Sequence, residues 1–152
     1  MGRSDDDRAA LRALPPGAWD GYLAERSRLP GSRANLELAQ VVAEEAPATL
    51  VRRYAAAADE DLALCGAIGL GRLLADGDAG AAEELRRLAE DGRWRVREGV
   101  ALGLQRLGDT DLRRWAASDD RDVRWVVREN LKKARLLKAD PARCAELRAL
   151  AR

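Results

Sequence analysis

The chain has no histidine and no phenylalanine among its 152 residues, one methionine and two cysteines. Without histidine, the usual zinc sites and the base of a His-activated nucleophile are missing. The 26 acidic residues form no distinctive catalytic constellation. No metal, cofactor or catalytic activity is therefore expected. Cys65 and Cys144 show no pairing pattern, so both are expected as buried free thiols, consistent with a reducing compartment. No apolar run is long enough to cross a membrane and no signal-peptide pattern opens the chain. The expectation is a cytoplasmic protein with no membrane partner. Aromatic residues make up 4% and the apolar residues are mostly Ala and Leu, which suits thin, closely packed helices. No run of alternating β-branched residues marks a strand.

What is present is repetition. Asp91-Gly92-Arg93-Trp94-Arg95-Val96-Arg97-Glu98 is answered 31 residues later by Asp122-Val123-Arg124-Trp125-Val126-Val127-Arg128-Glu129, with six of the eight positions identical. A second pattern, aliphatic, two arginines, large apolar, alanine, occurs at Val51–Ala55, Leu85–Ala89 and Leu112–Ala116, and more weakly at Leu147–Ala151. Its first, fourth and fifth positions share one helix face, and the arginines point elsewhere. Between these copies, Leu62–Leu73 aligns without a gap to Val96–Leu107 at a spacing of 34.

A period in the low thirties means stacked helical hairpins. Turn signals at Pro30-Gly31, Gly77-Asp78, Asp91-Gly92 and Gly108-Asp109-Thr110 divide the chain into alternating longer A and shorter B helices. The A helices are expected at 33–45, 60–75, 94–107 and 123–138, and the B helices at 47–57, 79–90, 110–117 and 141–151. Pro47 and Pro141 suit a first helical turn, and Thr110 and Asp140 suit N-caps. Residues 1–32 read as capping helices ahead of a repeat region at 33–152, all within one domain. Gly66, Gly69, Gly71, Gly99 and Gly103 lie inside A helices, where each costs about 1 kcal/mol relative to alanine. Close helix–helix approach is the expected return.

The D-x-x-W-x-V-R signature opening a helix, followed by an Ala- and Leu-rich face, resembles HEAT repeats, particularly the bacterial HEAT-like type, over about residues 33–152. The resemblance implies an all-α, right-handed α-α superhelix, a solenoid of about four hairpins with N-terminal capping helices. It also implies a hydrogen-bond ladder between successive repeats, with Asp91 and Arg97, and Asp122 and Arg128, as its members. Trp94 and Trp125 become inter-repeat packing residues. The first two repeats lack both the Trp and the Arg of the signature.

Charge supplies the candidate sites. Residues 1–92 carry 11 basic and 17 acidic residues, a net of −6, and residues 93–138 carry 13 and 7, a net of +6. The B helices line the concave surface of HEAT-like solenoids, which would place Arg52, Arg53, Arg86, Arg87, Arg113 and Arg114 on a binding face. Arginine's planar fork suits carboxylates and phosphates. An acidic peptide or protein partner is the leading expectation, and a solvated face salt-bridged to acids such as Glu83 and Glu84 is the plainer one. A second candidate is the basic stripe Arg121, Arg124, Lys132, Lys133 and Arg135, which could contact nucleic-acid phosphates. That alternative resembles HEAT-like DNA alkylation-repair glycosylases in fold, though no residue set maps onto their catalytic group. A lyase or chaperone-like accessory of the phycobilisome HEAT-like type shares the fold analogy alone.

Overall fold

The computed structural model of the protein describes residues 2–29, 31, 33–105, 109–132 and 139–152, and the side chains of 109–111 are left aside. Among the described residues the chain is all-helical, with no strand. The helices are α1 (Arg3–Ala13), α2 (Trp19–Arg26), α3 (Leu36–Glu45), α4 (Ala48–Ala55), α5 (Glu60–Ala75), α6 (Gly80–Leu88), α7 (Trp94–Leu104), α8 (Asp109–Ala116), α9 (Arg121–Leu131) and α10 (Pro141–Leu150). None of them is long and apolar enough to cross a membrane.

Side-chain caps set several of these boundaries. Asn35 Oδ1 accepts from Leu38 N, Asp59 Oδ1 from Leu62 N and Asp140 Oδ1 from Arg143 N. Each satisfies one of the amide donors a helix start leaves open. Pro141 occupies the first turn of α10, as expected, whereas Pro47 lies just outside α4 as its N-cap residue. Thr110 is not a cap, because α8 already begins at Asp109.

α5 is the centre of the molecule. Twelve of its sixteen residues are buried, from Asp61 to Leu74, and it packs against α2, α3, α4, α6 and α7. Its glycines are the reason these helices come so close. A Cβ at Gly66 would lie 2.1 Å from Ala55 N on α4, and one at Gly71 would lie 2.3 Å from the carbonyl oxygen of Gly103 on α7. Two backbones in contact leave no room for any side chain. Around this crossing one continuous apolar cluster runs from Leu11 to Ala151.

Arginines finish the helix ends. Arg72, on α5, donates to the carbonyl oxygens of Ala43, Glu44 and Ala46 at 2.8, 2.7 and 2.7 Å, where α3 ends. Arg148, on α10, donates to Leu131 O at the end of α9. A cation at a helix C-terminus meets both the orphan carbonyls and the negative end of the dipole. At the other end of the chain, α1 is tied to α3 by Arg8 with Glu44 and Glu45 and by Arg12 with Glu45. Tyr22 Oη donates to Asp7 at 2.6 Å, joining α2 to α1.

Candidate functional site

The six arginines of the B pattern lie on α4, α6 and α8, and most of them are held by the protein itself. Arg52 donates from Nε to both oxygens of Glu84, 3.2 and 3.1 Å away, and pairs through Nη2 with Asp78 at 2.8 Å. Arg53 forms a two-pronged pair with Asp20 at 3.0 and 3.1 Å, and Tyr54 Oη donates to the same carboxylate at 2.7 Å. Arg86 Nη1 donates to Asp122 at 2.7 Å, and Arg113 Nη2 to Glu146 at 2.9 Å. The partners are 32, 33, 36 and 33 residues apart, close to the spacing of the duplicated motifs. Arg114 lies with its guanidinium 5.8 Å from the Trp115 ring. Of the acids that hold these arginines, Glu84 is expected as a salt-bridge partner and Asp122 only as a ladder residue, while Asp20 and Glu146 carry no expectation. The signal that could have found them was an acid one period away from each arginine.

Arg87 differs. It is exposed, and among the described residues its side chain has no hydrogen bond or ion pair. It borders a groove of about 330 Å³ lined by Arg52, Ala55, Ala56, Glu84, Leu88 and Asp91. The acids on that rim are already neutralised: Glu84 by Arg52 and Asp91 by Arg93. Asp91 accepts from Arg93 N, Nε and Nη2 at 2.9, 2.9 and 3.0 Å, which holds its carboxyl down at about 2. Ala55, Ala56 and Leu88 supply an apolar floor. One unpaired guanidinium over small apolar side chains suits a carboxylate carried on an otherwise uncharged segment.

The two D-x-R-W-x-V-R-E copies do not repeat in structure. In the first, Asp91 receives the amide of Arg93 and α7 starts at Trp94. In the second, Asp120 stands two residues upstream of the motif, accepts from the amides of Asp122 and Val123, and starts α9 at Arg121. That earlier start places Asp122 in the first turn, where it meets Arg86 instead of its own arginine. The expected pairs therefore take another form. Arg97 donates to the main-chain oxygen of Asp91 and not to its carboxylate, and Arg128 donates to Ala151 O and not to Asp122. Trp125 is half-buried against the apolar cluster, but Trp94 is 54% exposed, with the Arg95 guanidinium 3.8 Å above its ring. Trp94 thus lies outside the apolar cluster that Trp125 packs against.

The basic stripe of α9 is also largely occupied. Arg124 donates to Ser118 O at 2.7 Å, and Lys132 pairs with Glu129 at 2.6 Å. Arg121 is mostly exposed, 4.0 Å from Asp122. Lys133 and Arg135 lie outside the described residues. Cys65 and Cys144 are both buried and free, and burial pushes the Cys65 thiol up. Comparison of the chain with family models, with curated proteins and with solved structures finds no match in any of the three.

Proposed function

We propose that the protein is a non-catalytic interaction module, a HEAT-like α-α superhelix whose B-helix face binds an acidic segment of a partner protein. The order of packing supports the superhelix: α3 lies against α5, α5 against α7 and α7 against α9, with α8 against α10 on the other row. The observation that carries the binding reading is Arg87, a guanidinium with no partner among the described residues, beside the α4–α6 groove. A charge-assisted hydrogen bond to it would contribute about 1.5–3 kcal/mol, less where water competes. Arg52, Arg53, Arg86 and Arg113 serve as ties between helices, so the binding contribution falls mainly on Arg87.

The test uses a Glu-rich peptide and a 20-base-pair duplex as probes, titrated at 50 and 200 mM salt. The reading expects saturable peptide binding that Arg87→Glu abolishes and Arg113→Glu leaves within a factor of two. Duplex binding that falls steeply with salt and survives Arg87→Glu would replace it with the nucleic-acid reading.

A further inference from the structure

A second cavity, of about 280 Å³, lies between α2, the segment that follows it and the start of α5. Its lining is Asp20, Ala24, Ser27, Leu29, Asp59, Asp61 and Leu62: three carboxylates, three aliphatic side chains and no base. Asp20 is already engaged by Arg53 and Tyr54. Asp59 spends one oxygen on the amide of Leu62, as the cap of α5. Ser27 Oγ is taken by the amide of Leu29.

Asp61 has none of this. It is only 6% exposed, lines the cavity, and among the described residues nothing donates to its carboxylate. A buried carboxylate without a partner is expensive to keep charged. Its place in the first turn of α5 returns part of that cost through the helix dipole. Among the described residues no cation pairs with it. Arg53 is committed to Asp20, and Arg93, which faces Asp59 and Glu60, is held by Asp91 and by the carbonyl oxygens of Ala57 and Ala58. Arg28, beside the lining residues Ser27 and Leu29, is exposed.

We propose that this cavity binds an organic cation, an ammonium or guanidinium group on an aliphatic stem, with Asp61 as its counter-ion. The head pairs with Asp61 and the free oxygen of Asp59, and the stem lies along Ala24, Leu29 and Leu62. Carboxylates beside the aliphatic side chains of Ala24, Leu29 and Leu62 suit the charged head and apolar stem of an amine. The cation can come as a free diamine-like molecule or as the Lys or Arg side chain of another polypeptide.

The experiment titrates ¹⁵N-labelled protein with agmatine and, separately, with the tripeptide Gly-Arg-Gly, at pH 7.5 and 20 mM salt. Saturable shifts confined to the amides around Ala24, Leu29, Asp61 and Leu62 are expected. Asp61→Asn should weaken binding at least tenfold, and Ala24→Phe, which fills the mouth from the exposed face of α2, should do the same with Asp61 intact. Tighter binding of agmatine assigns the site to a free amine, and tighter binding of the tripeptide to a polypeptide side chain. No saturable shift with either probe, or equal affinity in wild type and Asp61→Asn, would overturn the proposal.

Discussion

Arg86 on α6 donates to Asp122 on α9 at 2.7 Å, joining helices whose paired residues stand 36 positions apart. Asp122 is 15% exposed and Arg86 39%, so the pair is partly shielded from water. Removing the cation leaves a half-buried carboxylate without its donor. Arg86→Gln should lower stability by about 1 kcal/mol, near the upper end for partly exposed ion pairs. Arg87→Gln, with no partner to lose among the described residues, should stay within about 0.5 kcal/mol of wild type. Urea unfolding of the two variants makes the comparison, and equal losses would refute the division between tie and free arginine.

The contact between α5 and α7 makes a sharper demand. A Cβ on Gly71 would stand 2.3 Å from a backbone oxygen that cannot move without displacing α7. Gly71→Ala should cost about 3 kcal/mol, the upper end of what overpacking with backbone shifts typically costs. Gly21, inside α2 with open space around it, should respond with the opposite sign. Gly21→Ala should stabilise by up to about 1 kcal/mol from helix propensity. Thermal melts that ranked the two substitutions the other way would contradict the close crossing.

Stability should also depend on pH with two opposite signs. The Asp91 carboxyl is held at about 2 by its bonds to Arg93, against an ordinary 3.8. Its contribution is complete above about pH 4 and disappears as the pH falls toward 2. Desolvation pushes Asp61 the other way, up to about 6. Its contribution is greatest below about pH 4 and is lost as the pH rises through 6. Asp61→Asn should therefore stabilise the protein at pH 7.5 by at most about 3 kcal/mol, the linkage value of that shift. The gain should vanish at pH 4, and a gain independent of pH would rule out the buried charge.

The duplicated tryptophans should separate in the same way. Trp94→Ala removes a ring that is 54% exposed and should cost less than about 1 kcal/mol. Trp125→Ala empties part of the apolar cluster and should cost about 2–3 kcal/mol. Equal costs, measured by denaturant unfolding, would restore the structural equivalence that the sequence repeat suggests.

Much of the architecture was legible from periodicity and punctuation. The helix expected at 60–75 is α5, Glu60–Ala75, because a capping aspartate precedes it and an unbroken apolar pattern fills it. The in-helix glycines were legible for the same physical reason, since nothing but close approach offsets their cost. The arginine row was misleading. Whether Arg52 faces a partner or Glu84 depends on how α4 and α6 are rotated about their axes, which one helix's own pattern does not contain. Trp94 and Trp125 looked equivalent because six of the eight motif positions match, yet one upstream residue, Asp120, moved the start of α9 and changed what its motif touches. Nothing in the sequence pattern around Asp61 sets it apart from an ordinary acid in a first helical turn. It shares a cavity with α2 and the segment after it, whose lining residues stand 32 to 41 positions earlier in the chain.

The proposed binding rests on Arg87 taking an acidic side chain in the α4–α6 groove. The arginine Nε–Hε signals, followed by NMR during titration with a Glu-rich peptide, test it most directly. Arg87 should shift saturably, while Arg52, Arg86 and Arg113 keep their positions because each is already paired. Saturation of Arg121 or Arg124 with Arg87 unmoved would contradict the account and move the binding surface to α9.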